Sequence, residues 1–349
     1  MNKVLFRTDG NTKMGTGHVM RCMALAQALH KQGIDSVFVL TSSALAICRS
    51  RHDWVGQLIT IPAQITLAEE PLWLAGLCQQ QNISALVLDG YQFDAEYRKS
   101  VSKITGCFVL FDDNNDTGPL WADVVINGAD NAQQLGYERN SAAASLCLGP
   151  RYKVLRQEFV DLPASGWAER QTLGIMLGGS DPLNLSLPLL QALQAHVYQC
   201  QLPPISLFTG PAYSFSAQLN EFLSHSHLAI KHLVNCQQIA EEFSRCRLVI
   251  SAAGSSQFEL LACRTPAILL VVADNQLNAT VQASQQGWCQ MMDARQGLDM
   301  QVLANEVVQL IGSDERLMNM HRASAQYRDV DGAQRVAKVM IEHCQRQGS

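Results

Sequence analysis

The sequence predicts an α/β fold of two Rossmann-like domains, each built on a mostly parallel sheet, with the two sheets facing a cleft. Three observations lead there. Short apolar runs of strand length alternate with helix-patterned segments along most of the chain, as βαβ units require. The length of 349 residues suits two domains of about 150 residues each. The alternation breaks where Gly149-Pro150, a short polar helix and Leu162-Pro163-Ala164-Ser165-Gly166 intervene. The expected domains are therefore residues 1–160 and 161–349, the second closing with C-terminal helices.

The elements follow in order. In the first domain, strands are expected at Lys3 to Arg7, Ser36 to Leu40, Ala85 to Leu88, Phe108 to Phe111, Val124 to Ile126 and Leu146 to Leu148. Each is a short apolar run bounded by polar or turn-forming residues, too brief for a buried helix. Helical patterns lie between several of them, beginning with Val19-Met20-Arg21-Cys22-Met23-Ala24-Leu25-Ala26. The second domain repeats the theme at Leu173 to Leu177, Ile205 to Phe208, Ala229 to His232, Leu248 to Ser251 and Ala267 to Val272. The halves share architecture without a clear sequence repeat.

Composition narrows the class of function. Apolar residues make up 47% of the chain and charged ones 16%, below the roughly 25% usual for soluble proteins, so a substantial core is expected. The net charge is −5 and no basic tract occurs, which disfavours nucleic acid and anionic membrane as partners and favours a small molecule. Eleven cysteines are scattered without CxxC spacing, so neither a disulfide framework nor a metal site is expected. The apolar start is too short for a signal peptide, and no apolar run approaches a membrane span. A cytoplasmic monomer without a cofactor is expected.

Chemistry concentrates in loops that follow strands, where open α/β sheets bind ligands. Met14-Gly15-Thr16-Gly17-His18 lies between the first strand and the first helix. Gly15 and Gly17 permit a tight turn and close approach to a ligand, and the helix start offers amides to an anion or sugar. His18 stands at the mouth of that turn, and an imidazole titrating near pH ~6.5 can take a proton from water. Gly178-Gly179-Ser180-Asp181 and Gly254-Ser255-Ser256 follow two strands of the second half and read as phosphate-holding loops. Glu259, one helical turn past Ser255, could accept hydrogen bonds from a ribose. Neither the P-loop lysine pattern nor GxGxxG is present, which argues against ATP hydrolysis and nicotinamide chemistry.

Six stretches carry a family likeness that runs from residue 5 to about residue 335: Arg7-Thr8-Asp9-Gly10-Asn11, Gly15-Thr16-Gly17-His18-Val19-Met20-Arg21-Cys22, Gly149-Pro150-Arg151-Tyr152, Leu155-Arg156-Gln157-Glu158-Phe159, Gly178-Gly179-Ser180-Asp181 and Ala252-Ala253-Gly254-Ser255-Ser256. Together they resemble the UDP-2,4-diacetamido-2,4,6-trideoxy-β-L-altropyranose hydrolases of pseudaminic acid biosynthesis, which are MurG-like proteins of GT-B-like fold. The resemblance implies that the first domain carries the catalytic histidine and sugar site and the second holds UDP. It implies His18 as the catalytic histidine, Tyr91 as a cleft tyrosine, Asn275 as a sugar-contacting asparagine and Glu259 as the ribose glutamate. Gly15, Gly17 and Arg21 fall to substrate binding, and Asp9, Tyr91 and Asn275 to positioning sugar or water. Thr8 stands where the family is associated with alanine.

The implied reaction is hydrolysis of the UDP-sugar by inverting attack of water at the anomeric carbon. UDP is a good leaving group, so one base can serve where glycosidases need two carboxylates. Other readings stay open at this point. A GT-B glycosyltransferase using the same donor, or a non-catalytic UDP-sugar-binding protein, would keep every feature of the second half. Tyr91 could pack between domains, and Asp112-Asp113 reads as a helix cap or turn in preference to a metal ligand pair. His225, His227 and His232 read as surface or core residues.

Overall fold

The computed structural model describes residues 1–11, 15–141, 144–163, 165–196, 201–211 and 213–347. Met14 of the first glycine loop, Ala164 of the expected linker and Ser349 of the tail lie outside them. The chain divides into two compact units, Met1–Val160 with Asp329–Ser349, and Asp161–Arg328.

The strands of the first unit are β1 (Lys3–Thr8), β2 (Asp35–Leu40), β3 (Gln57–Thr60), β4 (Ala85–Asp89), β5 (Phe108–Phe111), β6 (Val124–Asn127) and β7 (Ser145–Leu148). Its helices are α1 (Gly17–His30), α2 (Ser42–Arg49), α3 (Glu70–Gln81), α4 (Ala95–Val101) and α5 (Gln157–Val160). The sheet runs β3-β2-β1-β4-β5-β6-β7, every neighbouring pair parallel. Its two faces are covered separately: Val4 and Phe6 of β1 join one core cluster, and Leu5 between them joins another. That alternation is the two-residue period of a strand buried on both sides, which explains why β1 reads as an unbroken apolar run.

The second unit contains β8 (Thr172–Met176), β9 (Ile205–Thr209), β10 (Ile230–Val234), β11 (Cys246–Ala252), β12 (Ala267–Val271) and β13 (Cys289–Asp293). Between and after them come α6 (Ser186–Gln194), α7 (Ser216–His225), α8 (Ile239–Arg245), α9 (Ser256–Ala262), α10 (Leu277–Gln285), α11 (Met300–Ile311) and α12 (Asp314–Tyr327). Its sheet runs β10-β9-β8-β11-β12-β13, again all parallel. Arg170 anchors the entry strand from inside, donating to the carbonyls of Cys246 and Cys263 and to the Thr265 hydroxyl.

Two differences from the expected elements have physical causes. Strands β3 and β13 were not expected, and each forms an edge of its sheet with several half-exposed positions. An edge strand packs fewer side chains and so writes a weaker apolar pattern. The tail is the second difference. Residues 329–349, expected with the second domain, belong to the first unit. The last helix, α13 (Gly332–Gln347), places Ala333, Val336, Ala337 and Met340 in the core that also holds Val19, Cys22 and Leu25 of α1. The spacing i, i+3, i+4, i+7 makes a single helical stripe, which is buried in the core of the first unit. Among the described residues, no helix is long and apolar enough to cross a membrane.

Candidate functional site

Sheet order brings the first group of polar residues together. Strands β1, β4 and β5 are neighbours in register, with Thr8 opposite Asp89 and Leu88 opposite Leu110. Their carboxyl ends therefore deliver Asp9, Asp89 and Asp113 to one edge of the sheet. Helix α1 leaves the end of β1 and carries His18 and Arg21 on one face, three residues apart. Gly15 enables this exit with φ of +79°, a left-handed conformation that a side chain would strain. Paired backbone bonds between Asn11 and Gly15 close the loop.

Asp89 organises the group. It is fully buried, and its Oδ1 lies 2.7 Å from His18 Nδ1. Arg21 donates Nε to Asp89 Oδ2 and Nη2 to Oδ1, both at 2.6 Å, and Nη1 to Asp113 Oδ1 at 2.7 Å. The guanidinium stacks over Phe111, 4.9 Å from the ring centre. Burial opposes its charge, but Asp89 and Asp113 outweigh burial and raise its pKa well above the ordinary value. Burial would push Asp113 up, yet Arg21 overrides it and holds the carboxyl below its usual range, so Asp113 acts as an anion.

Tyr91 completes the cluster. Its hydroxyl donates to Asp113 Oδ2 at 2.8 Å, and its ring meets the His18 ring edge-on at 4.7 Å. Burial and then Asp113 push the phenol upward, so it stays a neutral donor. The tyrosine is 63% exposed, whereas His18 is 7% exposed. Arg21, Asp89, Tyr91, Phe111 and Asp113 line part of a pocket, and His18 is not among its lining residues.

The arrangement fixes the imidazole. With Asp89 accepting at Nδ1, the assigned tautomer keeps the proton on Nδ1 and the lone pair on Nε2, for which no partner occurs among the described residues. Two carboxylates surround one guanidinium, so the group has spare negative charge to meet a proton gained at Nε2. Asp89 and Asp113 were not singled out as site residues from the sequence. A charged residue closing the apolar run Ala85 to Leu88 was the available signal for Asp89, and Asp113 was set aside as a turn residue.

Asp9 corrects an expectation. It was expected to position sugar or water, yet its Oδ1 accepts from the amide and hydroxyl of Thr41 and its Oδ2 from Arg7 Nη1. Arg7 in turn donates to Glu70, which also accepts from Tyr97. Both Asp9 oxygens are thus committed to a buried network that ties β1 to the start of α2 and to α3.

In the second unit, β8, β11 and β12 are adjacent, with Ile250 opposite both Ile175 and Ile268. Gly178, Gly179 and Ser180 after β8, Gly254, Ser255 and Ser256 after β11, and Asn275 after β12 therefore share one sheet edge. Among the described residues, the amides of both triplets have no acceptor. Asn275 is exposed in the turn Asp274–Gln276, and Glu259 is half-buried in the first turn of α9. Asp181 is the second correction. Its side chain turns inward, 1% exposed, and accepts from the amides of Leu185 and Ser186 at the start of α6. Each of its oxygens accepts one amide at the entry to α6.

No family profile matches the chain. Among curated relatives, UDP-2,4-diacetamido-2,4,6-trideoxy-beta-L-altropyranose hydrolase of Campylobacter jejuni is 24% identical over 82% of this chain and 97% of its own length. An uncharacterized protein of Methanocaldococcus jannaschii is 24% identical over 77% of this chain, which spans only 55% of that longer protein. The chain is similar to the altropyranose hydrolase along most of its length. Two solved structures share its architecture: MurG of Acinetobacter baumannii, with TM-score 0.66, 16% identity and coverage of 98% of this chain and 100% of that one, and a putative UDP-N-acetylglucosamine 2-epimerase of Listeria monocytogenes, with TM-score 0.67, 14% identity and coverage of 99% and 97%. The fold is GT-B-like. At such identities these structures speak for the fold alone.

Proposed function

We propose that the protein hydrolyses a UDP-linked 2,4-diacetamido-2,4,6-trideoxy hexose, in the L-altro form, to UDP and the free sugar, as a step of pseudaminic acid biosynthesis. The observation that carries this reading is the His18–Asp89 pair, which leaves Nε2 as a proton acceptor on a ring that meets the exposed Tyr91 edge-on. The likeness to a hydrolase of that substrate supports the choice of donor.

In this mechanism Nε2 of His18 takes a proton from water as the water oxygen bonds to the anomeric carbon. The bond from that carbon to the diphosphate oxygen breaks, and the electron pair leaves with UDP. One displacement inverts the carbon. The proton passes from His18 to solvent. Asp89 holds the ring and offsets the imidazolium charge, and Tyr91 and Arg21 border the sugar. In the second unit, the amides of Gly178, Gly179, Ser180, Gly254, Ser255 and Ser256 receive the diphosphate, Glu259 the ribose and Asn275 the sugar. A base of this kind contributes about 10²–10⁴-fold, the remainder coming from positioning and charge stabilisation.

The test is incubation of the protein with the UDP-sugar in ¹⁸O-water without an acceptor. Release of UDP with ¹⁸O in a sugar whose first-formed anomer is inverted supports the reading. Turnover that waits for an added acceptor would assign a glycosyltransferase, and binding of UDP without turnover would assign a carrier.

A further inference from the structure

A second polar cluster sits at the opposite edge of the first sheet. Cys107 immediately precedes β5 and Asp123 immediately precedes β6, so these adjacent strands bring the two residues together at their amino ends. Helix α13 lies against the same edge and supplies His343. The Cys107 thiol, a carboxylate oxygen of Asp123 and an imidazole nitrogen of His343 lie within 4.8 Å of one another. His343 Nε2 is 3.8 Å from Asp123 Oδ1, while Oδ2 of the same carboxylate accepts from the Phe108 amide at 2.8 Å. One carboxylate oxygen is thus anchored and the other faces the imidazole. The next residue of α13, Cys344, lies with its thiol 3.6 Å from Met1 Sδ.

We propose that Cys107, Asp123 and His343 bind a divalent metal ion of the zinc class and thereby fasten the end of α13 to the first sheet. A thiolate, an imidazole and a carboxylate are a donor set that suits a borderline-soft ion with water completing the tetrahedron, whereas magnesium and calcium would require oxygen. Zinc bond lengths of about 2.0–2.3 Å set tetrahedral donors roughly 3.5 Å apart, so the cluster needs to contract by about an ångström on loading. The donors come from positions 107, 123 and 343, so no local spacing announces them. This site is independent of the reaction proposed for His18.

The experiment uses the full chain, reduced and stripped with chelator, and titrates it with Co²⁺ alone and then Zn²⁺. The expected result is one ion per chain, a thiolate-to-cobalt absorption band displaced by Zn²⁺, and a rise in Tm with metal. His343→Gln, a change at a partly exposed position, should keep its circular dichroism spectrum yet bind at least about a hundredfold more weakly and lose the Tm response. Cys107→Ala should abolish the absorption band. Absence of a thiolate band in the reduced wild type would overturn the proposal, as would equal binding by His343→Gln. Recovery of a Cys107–Cys344 disulfide with no metal uptake after reduction would also overturn it and assign a cross-link instead.

Discussion

Asp89 holds His18 by one carboxylate oxygen while the same group takes two hydrogen bonds from Arg21, so a single fully buried anion sets both the ring's tautomer and the position of its neighbouring cation. The side chains come from α1 and from the end of β4, and the register of β1 against β4 brings them into contact. The orientation of the imidazole here depends on sheet order more than on any local motif.

His18→Asn should lower kcat by about 10²-fold or more while leaving UDP affinity unchanged, because the base acts only as the water attacks. Steady-state kinetics with calorimetric UDP binding checks both halves. Wild-type kcat in this variant would remove His18 from the reaction.

Asp89→Asn tests the orientation separately. An amide can turn its NH₂ toward Nδ1, which puts the imidazole proton on Nε2 and blocks proton acceptance there. A fall in kcat of about 10²-fold or more is expected, and the His18→Asn, Asp89→Asn double variant should be little worse than either alone, since paired groups act as a unit. Additive losses would show that Asp89 works independently of the ring.

Lys153 gives stability a pH dependence with a defined sign. Burial lowers its ammonium from 10.5 to about 7 against the pull of Asp130 and Asp113. Between those values the unfolded chain keeps the proton that the folded chain has released, so stability rises as pH increases through the window and falls as pH drops toward 7. The contribution is bounded at a few kcal/mol. Urea unfolding from about pH 7 to about 9.5 should show a rising stability that is flattened in Lys153→Met. Equal slopes in the two proteins would mean that Lys153 stays charged when folded.

Asp181→Ala should cost about 1–3 kcal/mol of stability through loss of the acceptor for the Leu185 and Ser186 amides, with UDP affinity retained. Denaturant unfolding beside UDP calorimetry separates this from a ligand role. A large loss of affinity with unchanged stability would return Asp181 to the binding site.

Particular residues show where the sequence is legible and where it is not. Leu5 and Phe6 announce a strand because both faces of β1 are buried, whereas Leu58 and Ile59 of edge strand β3 are half-exposed and leave a weak pattern. Gly15 and His18 are readable because a turn and an ionisable group are adjacent in the chain. Asp89 and Asp113 matter through partners 71 and 92 residues away, a relation created only when β1, β4 and β5 align. Asp9 and Asp181 are ambiguous in sequence, because a carboxylate after a strand serves equally well to bind substrate or to satisfy backbone and arginine donors, as both do here. The tail was assigned by position, but the stripe from Ala333 to Met340 needed a core, and its partner was α1.

Gly254→Ala is the sharpest test of the diphosphate assignment. A Cβ built at Gly254 meets nothing within 4 Å, and its backbone does not require glycine, so alanine should leave Tm within a degree or so of wild type. A ligand drawn up to the amides of residues 254–256 would meet that methyl, and UDP affinity should fall by about tenfold or more, about 1.4 kcal/mol. Gly166→Ala, equally open and far along the chain from these loops, is the control and should alter neither quantity. If Gly254→Ala binds UDP as the wild type does, the loop after β11 does not approach the diphosphate, and the proposed placement of the nucleotide in the second unit fails while the His18–Asp89 geometry stands.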